Sequence, residues 1–269
     1  MKRSLVALLV MCAAPLAAGA QGAAGAKTQL TWYGHAAFVV TTPKGTVLAI
    51  DPWFSNPKNK DGKVAPPEKI DFILVTHGHS DHVGDAVALA QRTKAKFVGA
   101  YELAQALTAA GYPPDQATMA TAGNMGGTID LTDEVAVTIV PAVHSSGFKA
   151  NEQAAPQYAG NPVGFVIKVK GGPTLYHTGD TAPFSDMQLF AKRRGPIDVM
   201  LACIGGHFTM DPAGAALAAS FVQPRQIVPM HFGTFPILNG TPAELEKALK
   251  QRGVKAKMTE MKVGETRTF

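Results

Sequence analysis

Three histidines and one aspartate fall within the six residues from His77 to His82, in the order His-Gly-His-Ser-Asp-His. The preceding residues 71–76 are largely apolar and β-branched, which predicts a buried strand, and residues 83–92 have the pattern of a helix. The cluster therefore lies on the turn between a strand and a helix. α/β proteins bind ligands at the carboxyl ends of their strands, where such turns lie. The stretch therefore constrains both the fold class and the kind of site.

The residue types in this stretch are those that bind transition metals. Imidazole and carboxylate ligands suit zinc, iron and manganese. Alternate residues of an extended turn share a face, so His77 and His79 could hold one ion. Asp81 and His82 follow the bend of the chain and could hold a second. The alternative is a set of solvated or hydrogen-bonded histidines, which such a dense group of ligands disfavours.

The motif His77-x-His79-x-Asp81-His82 resembles the signature of the metallo-β-lactamase fold hydrolases. Further motifs follow in the order found in one branch of that superfamily: Gly34-His35, Ile50-Asp51-Pro52-Trp53, Val143-His144-Ser145-Ser146, His177-Thr178-Gly179-Asp180-Thr181, Gly206-His207-Phe208-Thr209-Met210 and Pro229-Met230-His231-Phe232. That branch contains little-characterised metal-dependent hydrolases similar to ascorbate-6-phosphate lactonases and, more distantly, to N-acyl phosphatidylethanolamine phospholipase D. The resemblance extends from Gln29 to Phe269. It implies an α/β (α+β) protein, a four-layer αββα sandwich of two mixed sheets with helices on both outer faces.

The resemblance also implies which residues bind metal. A first ion would be held by His77, His79 and His144, and a second by Asp81, His82 and His231. Asp180 would bridge the two ions, and both Asp81 and Asp180 would take part in catalysis. Two divalent ions are expected, zinc foremost, with manganese and iron as alternatives.

Other residues near these motifs are candidates for supporting roles. Asp51 ends a predicted strand and could orient a ligating histidine through its second ring nitrogen, or only cap the Asp-Pro turn. His35 is either a core residue or part of the pocket. His177 lies within a predicted strand and is expected to support the site without binding metal. His207 is a candidate to bind substrate or protonate a leaving group, and the alternative is a role in stabilising its loop.

The rest of the chain predicts alternating strands and helices. Strands are expected at 30–33, 37–41, 46–50, 71–76, 96–99, 128–131, 135–140, 163–169, 174–177, 197–204, 226–230, 254–257 and 266–269, with the last two at sheet edges. Helices are expected at 82–92, 101–110, 185–194, 212–222 and 241–251, the last with a capping box of Thr241 and Glu244. Residues 56–67 form a loop that either rims the site or is a surface excursion. Residues 148–161 are expected to lie over the metals and contact substrate.

The beginning of the chain predicts export. Residues 1–20 have a basic start, a short apolar run and a small-residue end, which is typical of a secretory signal. A lipid anchor on Cys12 is disfavoured by the large Met11 before it. Residues 21–27 are interpreted as a flexible lead-in and residues 28–269 as a single hydrolase domain, periplasmic or secreted.

The composition of the mature chain excludes some functions. Removal of Lys2 and Arg3 lowers the formal net charge from +5 to +3, which gives no basis for nucleic-acid binding. Stable membrane insertion of the mature chain is not expected, and the oligomeric state is left open. Cys203 becomes the only cysteine and is interpreted as an inert core thiol.

The expected reaction is hydrolysis of a small-molecule substrate, in which metal-bound hydroxide attacks a lactone, carboxylic ester or amide. The similarity to lactonases favours this reaction, whereas the similarity to the phospholipase favours a phosphodiester as the alternative. Lys149 is the only obvious basic residue in the segment over the metals. A metal-binding protein without catalysis is a further hypothesis, and a redox di-iron protein would usually bring a flavin domain, which the sequence does not show.

Overall fold

The computed structural model describes residues 27–269, so the predicted signal and all but the last residue of the lead-in lie outside the described residues. The strands, numbered in chain order, are β1 Gln29–Gly34, β2 Ala37–Thr41, β3 Val47–Ile50, β4 Phe72–Val75, β5 Lys96–Ala100, β6 Ala122–Gly123, β7 Thr128–Asp130, β8 Val135–Pro141, β9 Gly147–Phe148, β10 Gln157–Tyr158, β11 Val163–Val169, β12 Thr174–His177, β13 Val199–Cys203, β14 Gln226–Met230, β15 Lys257–Met258 and β16 Thr266–Thr268. The α-helices are α1 Ser80–Val83, α2 Ala86–Thr93, α3 Tyr101–Ala109, α4 Met187–Arg194, α5 Pro212–Val222 and α6 Pro242–Gln251. Single turns of 3-10 helix lie at Lys60–Gly62 and Pro114–Gln116.

Two mixed sheets of seven strands each form the centre of the fold, in the orders β16-β1-β2-β3-β4-β5-β6 and β15-β14-β13-β12-β11-β8-β7. In the first sheet β16, β1, β2 and β3 pair antiparallel, and β3 to β6 pair parallel. The second sheet repeats this plan, antiparallel from β7 to β12 and parallel from β12 to β15. The expected mixed sheets and the two edge strands are therefore confirmed, but the strand expected at 254–257 was placed wrongly and is β15 at Lys257–Met258.

Alternate side chains of β3 enter different cores. On β3, Leu48 and Ile50 join the core that also holds the second sheet and α4 to α6, whereas Val47 and Ala49 join the core with α2 and α3. Both faces of the strand are buried, which explains why such strands read as continuous apolar runs. The layers are thus helix, sheet, sheet and helix, and the expected αββα sandwich is confirmed.

The helix expected at 82–92 is two helices, and that prediction was wrong. Between α1 and α2, Gly84 has φ 44° and ψ −119°, outside the helical region. A Cβ on Gly84 would lie 2.5 Å from the Cα of Trp53, and Asp85 N donates to the carbonyl oxygen of Pro52 at 3.0 Å. The break therefore follows from close packing of this segment on the turn after β3, which helix propensity alone does not reveal.

The strands that lead to the candidate site residues all end at one edge of the sandwich. β1, β3 and β4 run in the same direction in the first sheet, as β8, β12, β13 and β14 do in the second. Their carboxyl ends bring the loops that follow them together, which is where such sheets bind ligands. Among residues 27–269, no helix has the length and apolarity needed to span a bilayer.

Candidate metal centre

The residues implied as metal ligands meet at this edge. Three overlapping groups have ligand atoms that all lie within 4.8 Å of one another: His77, His79 and His144; His35, Asp81, His82 and His231; and His77, His82 and Asp180. The groups combine loops from both sheets. The first group and the second correspond to the two sets of ligands inferred from the sequence, with His35 added to the second.

Asp180 lies between the two sets of histidines. Its Oδ2 is 3.1 Å from Nε2 of His231, 3.3 Å from Nε2 of His82 and 3.7 Å from Nε2 of His144. Burial acts to raise the pKa of Asp180, but His231 and His82 together hold that pKa well below its usual value. The side chain is therefore a buried anion in contact with imidazoles of both groups.

Asp51 orients one histidine from each set. Its Oδ2 accepts a hydrogen bond from Nδ1 of His82 at 2.7 Å and another from Oγ1 of Thr76 at 2.8 Å. Because the Thr76 hydroxyl donates to Asp51, it accepts from Nδ1 of His77, which lies 3.0 Å away. Both imidazoles thus keep a proton on Nδ1 and present Nε2 to the centre. Sequence reasoning anticipated a role for Asp51 but missed the threonine, for which only its position directly before His77 gave a signal.

His177 lies outside the three groups and supports the turn that carries Asp180. Its buried ring donates from Nε2 to the carbonyl oxygen of Ala36 at 3.0 Å and accepts at Nδ1 from Gly179 N at 3.2 Å. Gly179 has φ 59°, and a Cβ there would lie 2.6 Å from the carbonyl oxygen of Val163. Only glycine fits this turn without displacing the neighbouring strand.

His35 is buried and contacts the second group. Its Nε2 is 3.0 Å from Oδ2 of Asp81, and its Nδ1 is 2.8 Å from Oγ1 of Thr234. Burial lowers the pKa of His35 to about 4, so the ring is neutral near pH 7. A neutral ring has one donor, which serves Asp81 if the Thr234 hydroxyl donates to Nδ1. No sequence signal identified Thr234.

Replacing His35 with alanine is expected to weaken metal binding at the second group about 10–100-fold, because Asp81 loses the donor that orients it. The first group should keep its affinity. Chelator competition on metal-loaded protein measures both affinities, and His207→Ala, which changes an exposed histidine outside the groups, is the control. Equal weakening of both groups, or of neither, would contradict a selective role for His35.

Several of these residues have unusual backbone conformations. His35, Asp51, His207 and His231 have φ of 50°, 43°, 58° and 56°. Residues in this left-handed region cost of order 1–3 kcal/mol each, and they concentrate at functional sites. His35, Asp51 and His231 directly follow a strand. At the metal centre, the strained residue is therefore where the chain turns away from the sheet.

The two sets of histidines differ in protonation. Burial lowers the pKa of His77, His79 and His144, so these rings are neutral near pH 7. Burial also opposes protonation of His82 and His231, but Asp180 and its neighbouring groups outweigh it. They raise the pKa of His82 well above its usual value and that of His231 to about 9.

These pKa shifts predict that metal binding at the second group releases about two protons per ion at pH 7.5, because an imidazole nitrogen must be unprotonated to bind metal. The affinity of this group should therefore rise with pH until both histidines are neutral. Calorimetric titration of the metal-free protein in two buffers of different ionisation enthalpy measures the released protons. His231→Ala should release about one proton fewer, whereas a parent protein that releases none would contradict the assignment.

The donor set fits a divalent transition metal. Among the described residues, the buried atoms His82 Nε2, His231 Nε2 and Asp180 Oδ1 make no hydrogen bond of good geometry, although both ring nitrogens lie within 3.3 Å of Asp180 Oδ2. A buried polar atom without a well-formed hydrogen bond costs about 1–3 kcal/mol, and a metal ion would give these three atoms a common partner. Imidazole nitrogens and carboxylate oxygens at this spacing are ligands that zinc, manganese and iron accept.

Part of the segment expected to lie over the metals is a hairpin. β9 and β10 form a two-stranded hairpin within this segment. The base of the hairpin packs on the turn at residues 77–82, since Ser146 Oγ accepts a hydrogen bond from Gly78 N at 3.1 Å.

Two other residues singled out in the sequence lie apart from the three groups. His207 is exposed and contacts Phe208, so its catalytic role stays a prediction. Cys203 is buried and burial raises the pKa of its thiol to about 11, in keeping with an inert thiol.

A sandwich of two mixed sheets with clustered histidines and aspartates at one edge defines a metal-dependent hydrolase of the metallo-β-lactamase fold. Residues 46–232 match the beta-lactamase superfamily domain. The UPF0173 metal-dependent hydrolase of Anaeromyxobacter sp. (strain K) is 64% identical over 229 residues, which cover 85% of this chain and 83% of that protein. The UPF0173 metal-dependent hydrolase of Thermodesulfovibrio yellowstonii is 47% identical over 270 residues, 98% of each protein.

A solved structure agrees with these relatives. Igni18, a metallo hydrolase from the hyperthermophilic archaeon Ignicoccus hospitalis, superimposes with a TM-score of 0.76 at 35% identity, covering 90% of this chain and 98% of Igni18. The chain therefore belongs to the UPF0173 family of metal-dependent hydrolases within the beta-lactamase superfamily. The narrower resemblance to ascorbate-6-phosphate lactonases and to the phospholipase stays a prediction.

Proposed function

We propose that the protein binds two divalent ions and hydrolyses a lactone, carboxylic ester or amide of a small molecule. The observation that carries this proposal is the position of Asp180, whose Oδ2 lies within 3.7 Å of ring nitrogens from both sets of histidines. A buried carboxylate shared by two sets of ligands is suited to a pair of ions about 3.5–4 Å apart. A protein that only carried one ion would not need this arrangement.

In this proposal the first ion is held by His77, His79 and His144, the second by Asp81, His82 and His231, and Asp180 is shared. Zinc suits these ligands best, and manganese and iron are alternatives. When bound, the ions supply a water that ionises near neutral pH and a Lewis acid for the carbonyl oxygen of the substrate.

The chain's own residues supply orientation and proton transfer. Asp51 keeps His82 and, through Thr76, His77 in fixed ring orientations. The side chain of Asp81 is 27% exposed, whereas that of Asp180 is 3% exposed, so Asp81 is the carboxylate that substrate and water can reach. We assign proton acceptance during hydrolysis to Asp81 and contact with the leaving group to His207.

Metal content and hydrolysis, measured together on residues 21–269, test the proposal. About two zinc, manganese or iron ions per chain are expected, with turnover of lactones, esters or amides that a chelator abolishes and added metal restores. His79→Ala should lose metal from the first group and lose turnover. One ion or none, with no turnover of any substrate, would overturn the proposal, and turnover of phosphodiesters alone would replace it with the phosphodiesterase alternative.

We also propose that the protein is exported and cleaved after Ala20. Cell fractionation with N-terminal sequencing tests this: a chain in the exported fraction that begins at Gln21 is expected. A cytoplasmic chain that retains Met1 would contradict it.

A further inference from the structure

Four of the loops around the metal centre contain no charged side chains apart from their histidines. Residues 33–36, 142–148, 205–210 and 231–240 include no lysine, arginine, aspartate or glutamate. A site that recognises a phosphate or carboxylate on its substrate usually provides arginine or lysine at fixed positions. These four loops provide none.

Two lysines near these loops already have partners. Lys149 follows the second of these loops, and its ammonium donates to the backbone carbonyl of Glu152 at 2.7 Å. Lys58 lies against the loop after His231, with its ammonium 4.7 Å from the centre of the Phe232 ring and 5.8 Å from that of Trp32. The aromatic faces stabilise this cation where it is.

The same loops expose apolar side chains. Phe235 is 40% and Ile237 is 45% exposed, and both lie on the loop that begins with His231. The Phe235 ring stacks on Trp53 with 6.1 Å between centres, and it lies 6.2 Å from the ring of His35. Exposed apolar side chains beside a polar centre are a feature of ligand-binding grooves.

The apolar loop is held in place. Gly233 N donates to the carbonyl oxygen of Leu238 at 2.7 Å, and Leu238 N donates to that of Phe235 at 3.0 Å. Thr234 is hydrogen-bonded to His35, which contacts Asp81. Phe235 and Ile237 therefore lie at the tip of a turn whose base is attached to the metal centre, so a ligand would meet a preformed surface.

We propose that the substrate is uncharged and carries an apolar acyl or alkyl group, which packs on Phe235 and Ile237 while its ester, lactone or amide group lies at the metals. This inference rests on the proposed hydrolytic function and adds the substrate class. It is carried by the attachment of the apolar turn to the metal centre and by the lack of lysine and arginine within the four loops. A phosphorylated sugar is charged and has no apolar acyl or alkyl group, so it lacks both properties of this substrate.

A series of 4-nitrophenyl esters from acetate to octanoate tests the substrate class on metal-loaded protein. Since burying a methylene is worth about 0.8 kcal/mol, kcat/KM should rise about 2–4-fold per methylene as the chain reaches the turn. Phe235→Ala should lower the ratio of kcat/KM for octanoate to that for acetate about 10-fold, as expected for loss of a partly buried aromatic contact. Leu189→Ala, which removes another exposed apolar side chain on α4, is the matched control and should keep the parent ratio.

Binding of octanamide to metal-free protein, measured by calorimetry, separates this inference from the proposed function. If no ester is hydrolysed but octanamide binds and Phe235→Ala weakens it, the apolar surface is supported and the hydrolytic function fails. If esters are hydrolysed with no dependence on chain length and octanamide does not bind, the substrate class is overturned and hydrolysis stands. A dimer that Phe235→Ala converts to monomer, with octanamide binding unchanged, would also overturn it, because the turn would then be a contact between subunits.

Discussion

Replacing Asp180 with asparagine is expected to lower the bound metal from about two ions per chain to at most one and to lower kcat by about 10³-fold or more. Asparagine keeps the shape of the side chain but removes the negative charge, which is buried and lies within 3.7 Å of ring nitrogens from both histidine sets. Without that charge, two cations at this spacing repel each other with less compensation. Metal analysis after dialysis and steady-state kinetics at saturating substrate give the two quantities.

The control for this substitution is Asp85→Asn. Asp85 comes shortly after the turn at residues 77–82 but lies outside the three groups of candidate ligands. Its carboxylate accepts hydrogen bonds from the backbone N–H and the hydroxyl of Ser55. It should keep the metal content and kcat of the parent. An Asp180→Asn protein that retained two ions and full turnover would show that this carboxylate is not shared between metals.

Replacing Asp51 with alanine is expected to lower the free energy of unfolding of the metal-free protein by about 3–5 kcal/mol, the usual cost of removing one partner of a buried ion pair. Asp51 is fully buried, and so is His82, whose Nδ1 lies 2.7 Å from the carboxylate. The substitution removes one of the carboxylate partners of the charged His82 imidazole and leaves the Thr76 hydroxyl without the oxygen to which it donates. Urea unfolding followed by circular dichroism measures the loss.

The same substitution should weaken metal binding at both groups about 10–100-fold, because His77 and His82 lose their shared orientation. Asp133→Ala, which removes an exposed partner of Lys44, should change stability by less than about 1 kcal/mol. Asp51→Asn keeps hydrogen-bonding oxygen at this position and should recover part of the stability. An Asp51→Ala protein as stable as the Asp133→Ala control would contradict the role given to this carboxylate.

Much of the fold follows from local patterns. The capping box expected from Thr241 and Glu244 is present, with Thr241 Oγ1 accepting from Glu244 N at the start of α6. Such caps and the continuous apolar strands are determined by residues a few positions apart, so they can be predicted from the chain alone. The break at Gly84 could not be, because it depends on contact with Trp53 more than thirty positions away.

The site divides in the same way. The sequence by itself determined that the ligands from His77 to His82 lie close together, because a strand followed by a helix places neighbouring residues on one turn. His144, Asp180 and His231 came from resemblance, because nothing local relates them to that turn. Only the tertiary structure decided that His35 contacts Asp81 and Thr234, and that Phe235 lies beside His35. Their proximity results from the stacking and register of two sheets, which bring distant strand ends to a common edge and which no periodicity within one segment encodes.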